Sequence, residues 1–251
     1  MRATIRVYGK IKPILYTFLF EITRHIKIFF IFSILMIIQL FWFNYYMMYS
    51  KESIPSSVDD FYYVGTHYFV YVLIFAVCFF FSGIICAEYK DKTGLTILPL
   101  ITKYKLLIGK YCANVFLVVG IATVNYLMLV LLGYSFYGEP VISTWIRSYG
   151  FSVLYIFALG SFVTFLSSLL SSSAKIIVIT LGFTFIEFLE LVINPIFSFA
   201  SLHKTIQNLT LLDFFTDARY YMNIEGAIAV LLVYTILFFL LATLFFKRRE
   251  Q

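Results

Sequence analysis

LIGKYCANVFLVVGIATVNYLMLVLLG, residues 107–133, carries one charged side chain, Lys110, and no proline. At 1.5 Å of rise per residue, a helix over this run is about 40 Å long, more than the roughly 30 Å of a bilayer's hydrocarbon core. The run therefore predicts a transmembrane helix. Outward from it, five more apolar stretches reach a comparable length, at roughly 28–49, 67–87, 149–171, 175–198 and 226–246. Each holds the ~20 residues that a span requires. The expectation is an all-α integral membrane fold of six transmembrane helices, forming one transmembrane domain over residues 1–251.

Composition agrees with that solvent. The chain is 62% hydrophobic and 13% charged, whereas soluble domains carry about 25% charged residues. Its 30 Phe and 20 Tyr exceed the needs of one globular core, and lipid-facing surfaces and interfacial aromatic belts absorb them. Trp42, Tyr45, Tyr46, Tyr68 and Tyr71 fall near the expected outer edges. The net charge of +6 comes from Lys and Arg in blocks between apolar runs, with no continuous basic stripe, which argues against a nucleic-acid partner. Cys78, Cys86 and Cys112 lie in or beside apolar runs without metal or disulfide spacing, and read as reduced packing residues. The first apolar run follows a basic stretch and has no small-residue cleavage pattern behind it, so no cleavable signal peptide is expected.

Orientation follows from the positive charges, which cytoplasmic loops retain. Fifteen of them, Arg2, Arg6, Lys10, Lys12, Arg24, Lys27, Lys90, Lys92, Lys103, Lys105, Lys110, Lys175, Lys247, Arg248 and Arg249, fall on one side. Only Lys51, Arg147, Lys204 and Arg219 fall on the other. Both termini are thus expected in the cytoplasm, in a multi-pass protein of the cell membrane. Residues 1–27 read as an amphipathic lead helix along the inner interface, with Pro13 in its first turn and Ile14, Phe18, Ile22 and Ile26 in one stripe beside Leu15 and Leu19. A plain cytoplasmic lead-in to the first span is the alternative.

The cytoplasmic stretch between the second and third spans is the most informative. Glu88 closes the second span, Gly94 permits a turn, Leu95 to Leu100 form a short apolar stripe, and Lys103 and Lys105 follow. Gly109 and Lys110 open the third span, with Lys110 expected to snorkel to the inner headgroups. An ordinary positive-inside loop has the same charges.

The series Glu88, Gly94-Leu95-Thr96, Leu98-Pro99, Thr102-Lys103 and Gly109-Lys110 resembles permeases of the type-2 ATP-binding-cassette (ABC) exporters. In that family this loop carries a coupling helix that docks on the ATPase subunit. The resemblance extends to the layout: an amphipathic lead helix, six spans, a small serine-rich turn at Ser171-Ser172-Ser173-Ala174-Lys175, and a longer outer helical segment, 199–225, before the last span. Ile101 and Tyr104 depart from the family's small residues. The resemblance implies that Glu88, Gly94, Leu95, Thr96, Leu98, Pro99 and Lys103, within the coupling segment 88–106, meet the ATPase. It also implies a pathway formed by two permease copies or homologues in membrane lipid.

No G-x-x-x-x-G-K-[ST] loop occurs to cradle phosphates. The chain is therefore not expected to be an enzyme or to hold a cofactor; ATP and Mg would be bound by the partner subunit.

Ionisable groups inside a bilayer are rare and mark functional candidates. Glu187 and Glu190 lie three residues apart in the fifth run, ahead of Pro195. Either they face a translocation pathway or proton site, or the helix breaks there and leaves them at headgroup level. Asn125, Thr123, Ser161, Thr164 and Thr180 are expected to make packing hydrogen bonds between helices. His25, His67 and His203 are dispersed, and no metal site assembles from them. Asn208-Leu209-Thr210 matches a glycosylation acceptor on the outer side.

Three functions compete. The leading one is the permease subunit of an ATP-driven exporter. A proton-coupled secondary transporter or channel using Glu187 and Glu190 is second, and inverted repeats, its usual mark, are not evident. An intramembrane enzyme or assembly factor is third, and it lacks converging catalytic groups.

Overall fold

The computed structural model describes residues 2–49, 58–86, 102–138, 142–184 and 224–248. Six helices account for nearly all of them: α1 Arg2–Tyr49, α2 Val58–Ser82, α3 Lys103–Tyr137, α4 Ile142–Leu169, α5 Ser173–Thr184 and α6 Ile224–Arg248. Stretches within four of them, Lys12–Trp42, Lys103–Tyr137, Trp145–Leu169 and Ile228–Arg248, are long and apolar enough to cross a membrane. Val72–Ser82 and Ser173–Gly182 are shorter apolar helical stretches.

The helices overrun the apolar stretches in the sequence because a helix satisfies its own backbone and need not stop where hydrocarbon does. α2 starts at Val58, where the expected span started near 67, and α4 starts at Ile142 rather than 149. α3 extends one turn beyond 107–133 at each end. It stops at Gly138, whose φ of 74° is left-handed and whose N–H bonds Tyr134 O at 2.9 Å, an arrangement that glycine adopts without a Cβ penalty.

The lead segment differs most from expectation. It is no separate element: α1 is one helix of 48 residues, about 72 Å long. Residues 14–49 contain neither glycine nor proline, so nothing breaks the helix at the expected boundary. Pro13 lies inside α1 rather than in its first turn, and its carbonyl accepts a 2.9 Å bond from Thr17 Oγ1. The packed edge also differs, since Thr17 and Glu21 are buried while Leu15, Tyr16, Leu19 and Phe20 are exposed.

α2, α3 and α4 form the centre of the bundle, with α1 packed mainly on α3, α6 on α4, and α5 on α2. The main core joins Leu73, Phe80 and Phe81 of α2 with Val118 and Ile121 of α3 and Tyr155 and Ile156 of α4. Phe81 fits because Gly160 opposes it: a Cβ there would lie 2.9 Å from the ring.

Polarity runs inside out relative to a soluble protein. Lys110, Asn114, Asn125, Ser152 and Thr164 are buried, while Leu131, Val178, Val233, Ile236 and Leu240 are largely exposed. Water would penalise such a surface, and lipid accommodates it.

Candidate functional site

The only carboxylate buried among the described residues is Glu21, in the N-terminal half of α1. Its Oε1 lies 2.8 Å from Lys110 Nζ, its Oε2 lies 3.2 Å from His25 Nε2, and Arg24 Nη1 is 3.8 Å away. Glu21 and Lys110 side chains are 2% and 4% exposed. Helical geometry supplies the local part of this cluster, because residues three and four positions on share the face of Glu21. The long-range part depends on Gly109. A Cβ on Gly109 would lie 2.8 Å from Thr17 Cβ and 2.9 Å from Ile14 O, so only glycine lets α1 come this close to α3. One turn further along α3, Asn114 Nδ2 donates to Phe80 O at 2.9 Å, and the Phe80 ring meets His25 edge-on at 5.7 Å. The cluster thereby joins α1, α2 and α3.

Lys110 accordingly does not snorkel to the headgroups: its ammonium is buried against Glu21. A buried charge survives when paired, and the partner stands 89 positions earlier in the chain. Gly109 and Lys110 themselves lie in the second turn of α3.

A second polar fixture ends α2. After Ser82 the chain turns, with Ile84 N–H bonding Phe81 O at 3.2 Å. Ser167 Oγ of α4 accepts from the N–H groups of Ile85 and Cys86 at 3.1 and 3.2 Å and donates to Ser82 O at 3.0 Å. Cys86 Sγ donates to Ser82 O at 2.9 Å and lies 3.2 Å from Ser173 Oγ of α5. One serine thus satisfies two backbone N–H groups that would otherwise be orphaned and shares Ser82 O with Cys86 Sγ.

These fixtures flank residues 87–101. Of the residues expected to contact an ATPase, Glu88, Gly94, Leu95, Thr96, Leu98 and Pro99 lie outside the described residues. Lys103 opens α3 and places its Nζ 5.9 Å from the Phe246 ring of α6. Glu187 and Glu190, Asn208 and residues 199–223 also lie outside the described residues. The structure brings together Gly109, Lys110 and a residue that sequence reasoning did not single out, Glu21. The one signal for Glu21 was an acid set among apolar neighbours in the lead segment.

The seam between α3 and α4 holds the other polar groups. Tyr111 Oη donates to Phe157 O at 2.9 Å and lies 2.8 Å from Ser161 Oγ. Tyr126 Oη bonds Ser148 O at 3.1 Å and Ser152 Oγ at 2.7 Å, while Trp145 Nε1 donates to Tyr126 O at 3.0 Å. Thr123 meets Tyr149 Oη at 2.9 Å. Ser161 and Thr123 do link helices, and Thr180 of α5 links to Cys78 of α2 while also donating to Ile176 O in its own helix; Thr164 bonds the carbonyl four residues back in its own helix. Cys78, Cys86 and Cys112 are free thiols. Among the described residues no group of His, Cys, Asp and Glu could hold a metal ion.

The class these features define is an all-helical, multi-pass membrane protein with a buried ionic cluster at the junction of its first three helices. No model of a known protein family matches the chain, and a search of curated proteins finds no match either.

Proposed function

We propose that this chain is the permease subunit of an ATP-driven exporter, working as a dimer with separate ATPase subunits. In this reading six helices span the cell membrane, both termini are cytoplasmic, and the inner part of α1 runs through the inner leaflet boundary. Residues 88–106 form the docking segment.

The observation that carries the reading is the bracing of both ends of residues 87–101. Ser167 ties Ile85 and Cys86 to α4, and the Glu21–Lys110 pair ties the start of α3 to α1. A force applied to a segment braced at both ends is transmitted to the helices rather than absorbed by fraying. ATP binding in the partner subunits would shift residues 88–106, and α1, α3 and α4 would move with it between inward-facing and outward-facing arrangements. The bias comes from differential contacts in the two states. Phosphate binding needs a glycine-rich loop that this sequence lacks, so ATP and Mg belong to the partner.

The test is co-purification of the tagged chain from its native membrane, with mass spectrometry and an ATPase assay, comparing wild type with Glu88→Ala/Pro99→Ala. A nucleotide-binding subunit that the double substitution releases or uncouples is the expected result. Recovery of the chain alone, without ATPase activity, refutes the proposal and favours a proton-coupled transporter using Glu187 and Glu190.

A further inference from the structure

α6 sets the scale of the membrane. From Ile228 to Phe246 it carries no charged residue, and Lys247 and Arg248 close it. At 1.5 Å per residue that stretch is about 28 Å long, the thickness of the hydrocarbon core.

The other helix ends meet its basic edge. Lys103, the first residue of α3, holds its Nζ 5.9 Å from the Phe246 ring. Ser167, near the end of α4, bonds Ile85 and Cys86 just beyond α2, and Cys86 Sγ lies 3.2 Å from Ser173 Oγ at the start of α5. Among the described helices, α1 alone runs through this plane. Its register on α3 is fixed by Thr17 against Gly109, Glu21 against Lys110 and Phe29 against Gly120. Those contacts put residues 11–14 of α1 level with Lys103.

Arg24 and Lys27 therefore lie far inside the hydrocarbon. The same register makes Lys27 level with residues 116–119 of α3, about 20 Å beyond the Lys103 plane. Tyr111 of α3 meets Phe239 of α6 at 4.8 Å; with the Lys103–Phe246 contact, this places Lys27 level with residues 230–234 of α6. Arg24 is about one turn nearer the midplane.

Both side chains point away from the bundle. Lys27 is exposed and the Arg24 side chain is 39% exposed, in a stripe with Phe20, Ile31, Ile34 and Ile38, which are exposed too. At 100° per residue these positions share one face, turned from the Thr17–Glu21 edge that packs on α3. A charged side chain at such depth faces a water-filled cavity or protein, not lipid. Snorkelling does not relieve Lys27, because its Cα–Cβ bond leans toward the α1 N-terminus, and the polar plane in that direction is about 20 Å away. Glu21 is the one carboxylate at this depth among the described residues, against Lys110, Arg24 and Lys27, so the level carries net positive charge.

We propose that the Phe20–Arg24–Lys27–Ile31 face of α1 is the wall of a water-filled route across the membrane, and that the solute it passes is an anion. The inference rests on the transport reading, naming the wall of the route and the charge of its cargo. Water on this face is tested whether or not an ATPase co-purifies, and a dry face on a chain that does bind an ATPase refutes the wall alone.

The test uses the full-length protein in native membranes, in a Cys112→Ala background. Methanethiosulfonate ethyltrimethylammonium and ethylsulfonate carry opposite fixed charges, do not enter lipid, and attack thiolates, which form in water. Site-resolved mass spectrometry follows the label. Lys27→Cys and Ile31→Cys should react with the cationic reagent at least about tenfold faster than Val233→Cys, at the same depth on the exposed face of α6. All three positions are exposed, so no core packing is lost. Equal rates at the three positions overturn the proposal. At Ile31→Cys the anionic reagent, with each rate scaled to that on a free thiol in solution, should outpace the cationic one, and Arg24→Gln/Lys27→Gln should abolish that preference. A preference unchanged by the double substitution, or one for the cation, overturns the anion assignment.

Discussion

Glu21→Met removes the carboxylate 2.8 Å from Lys110 Nζ and leaves that ammonium in a site where the lysine side chain is 4% exposed. Breaking a buried ion pair by deleting one partner costs about 3–5 kcal/mol, since the remaining charge has lost both water and its counter-ion. Lys110→Met is milder, at about 1–3 kcal/mol, because Glu21 keeps His25 at 3.2 Å and Arg24 at 3.8 Å. The double variant Glu21→Met/Lys110→Met fills the same volume with apolar side chains and should fall within about 1 kcal/mol of wild type, or above it. The assay is reversible denaturation of the four proteins in mixed micelles, read by circular dichroism and assembled into a double-mutant cycle. The expected coupling energy is at least about 2 kcal/mol. Additive single effects would refute the reasoning, because they would mean that Lys110 takes its stability from elsewhere.

Three further outcomes follow from the packing. Gly109→Ala places a Cβ 2.9 Å from a backbone oxygen, Ile14 O, which cannot rotate away; thermal unfolding should show a loss of about 1–3 kcal/mol. Gly120→Ala meets only the Phe29 ring, at 3.1 Å, and should cost less than Gly109→Ala in the same assay. Ser167→Ala strips the partner from two backbone N–H groups and leaves Ser82 O with Cys86 Sγ alone; it should cost about 1–3 kcal/mol and, in the exporter reading, lower transport per ATP hydrolysed more than ATP hydrolysis itself.

Apolar runs were legible in the sequence because spanning helices need length and hydropathy and little else. The serine-rich turn at 171–175 is a case in point: α4 ends at Leu169 and α5 begins at Ser173. Helix ends were less legible, since α2 and α4 extend past the apolar runs with backbone bonds that depend little on side-chain type. The join at residue 27 was misread because charge content marked a boundary where no glycine or proline interrupts the helix. Lys110 was assigned to the headgroups for a local reason, its place at a helix entry. Its real partner lies on α1, and no spacing rule links positions 21 and 110. The glycine beside it was the visible half of that contact. What it admitted could be learned only from Thr17 and Ile14 across the interface.

The most direct test of the account places a photo-crosslinking amino acid at Thr96, in the segment read as the ATPase dock, and at Arg147, expected on the opposite side of the membrane. After irradiation of intact cells, a crosslink from position 96 to a nucleotide-binding subunit, absent from position 147, is the predicted result. Absence of any ATPase crosslink from position 96, or equal yield from both positions, would contradict it.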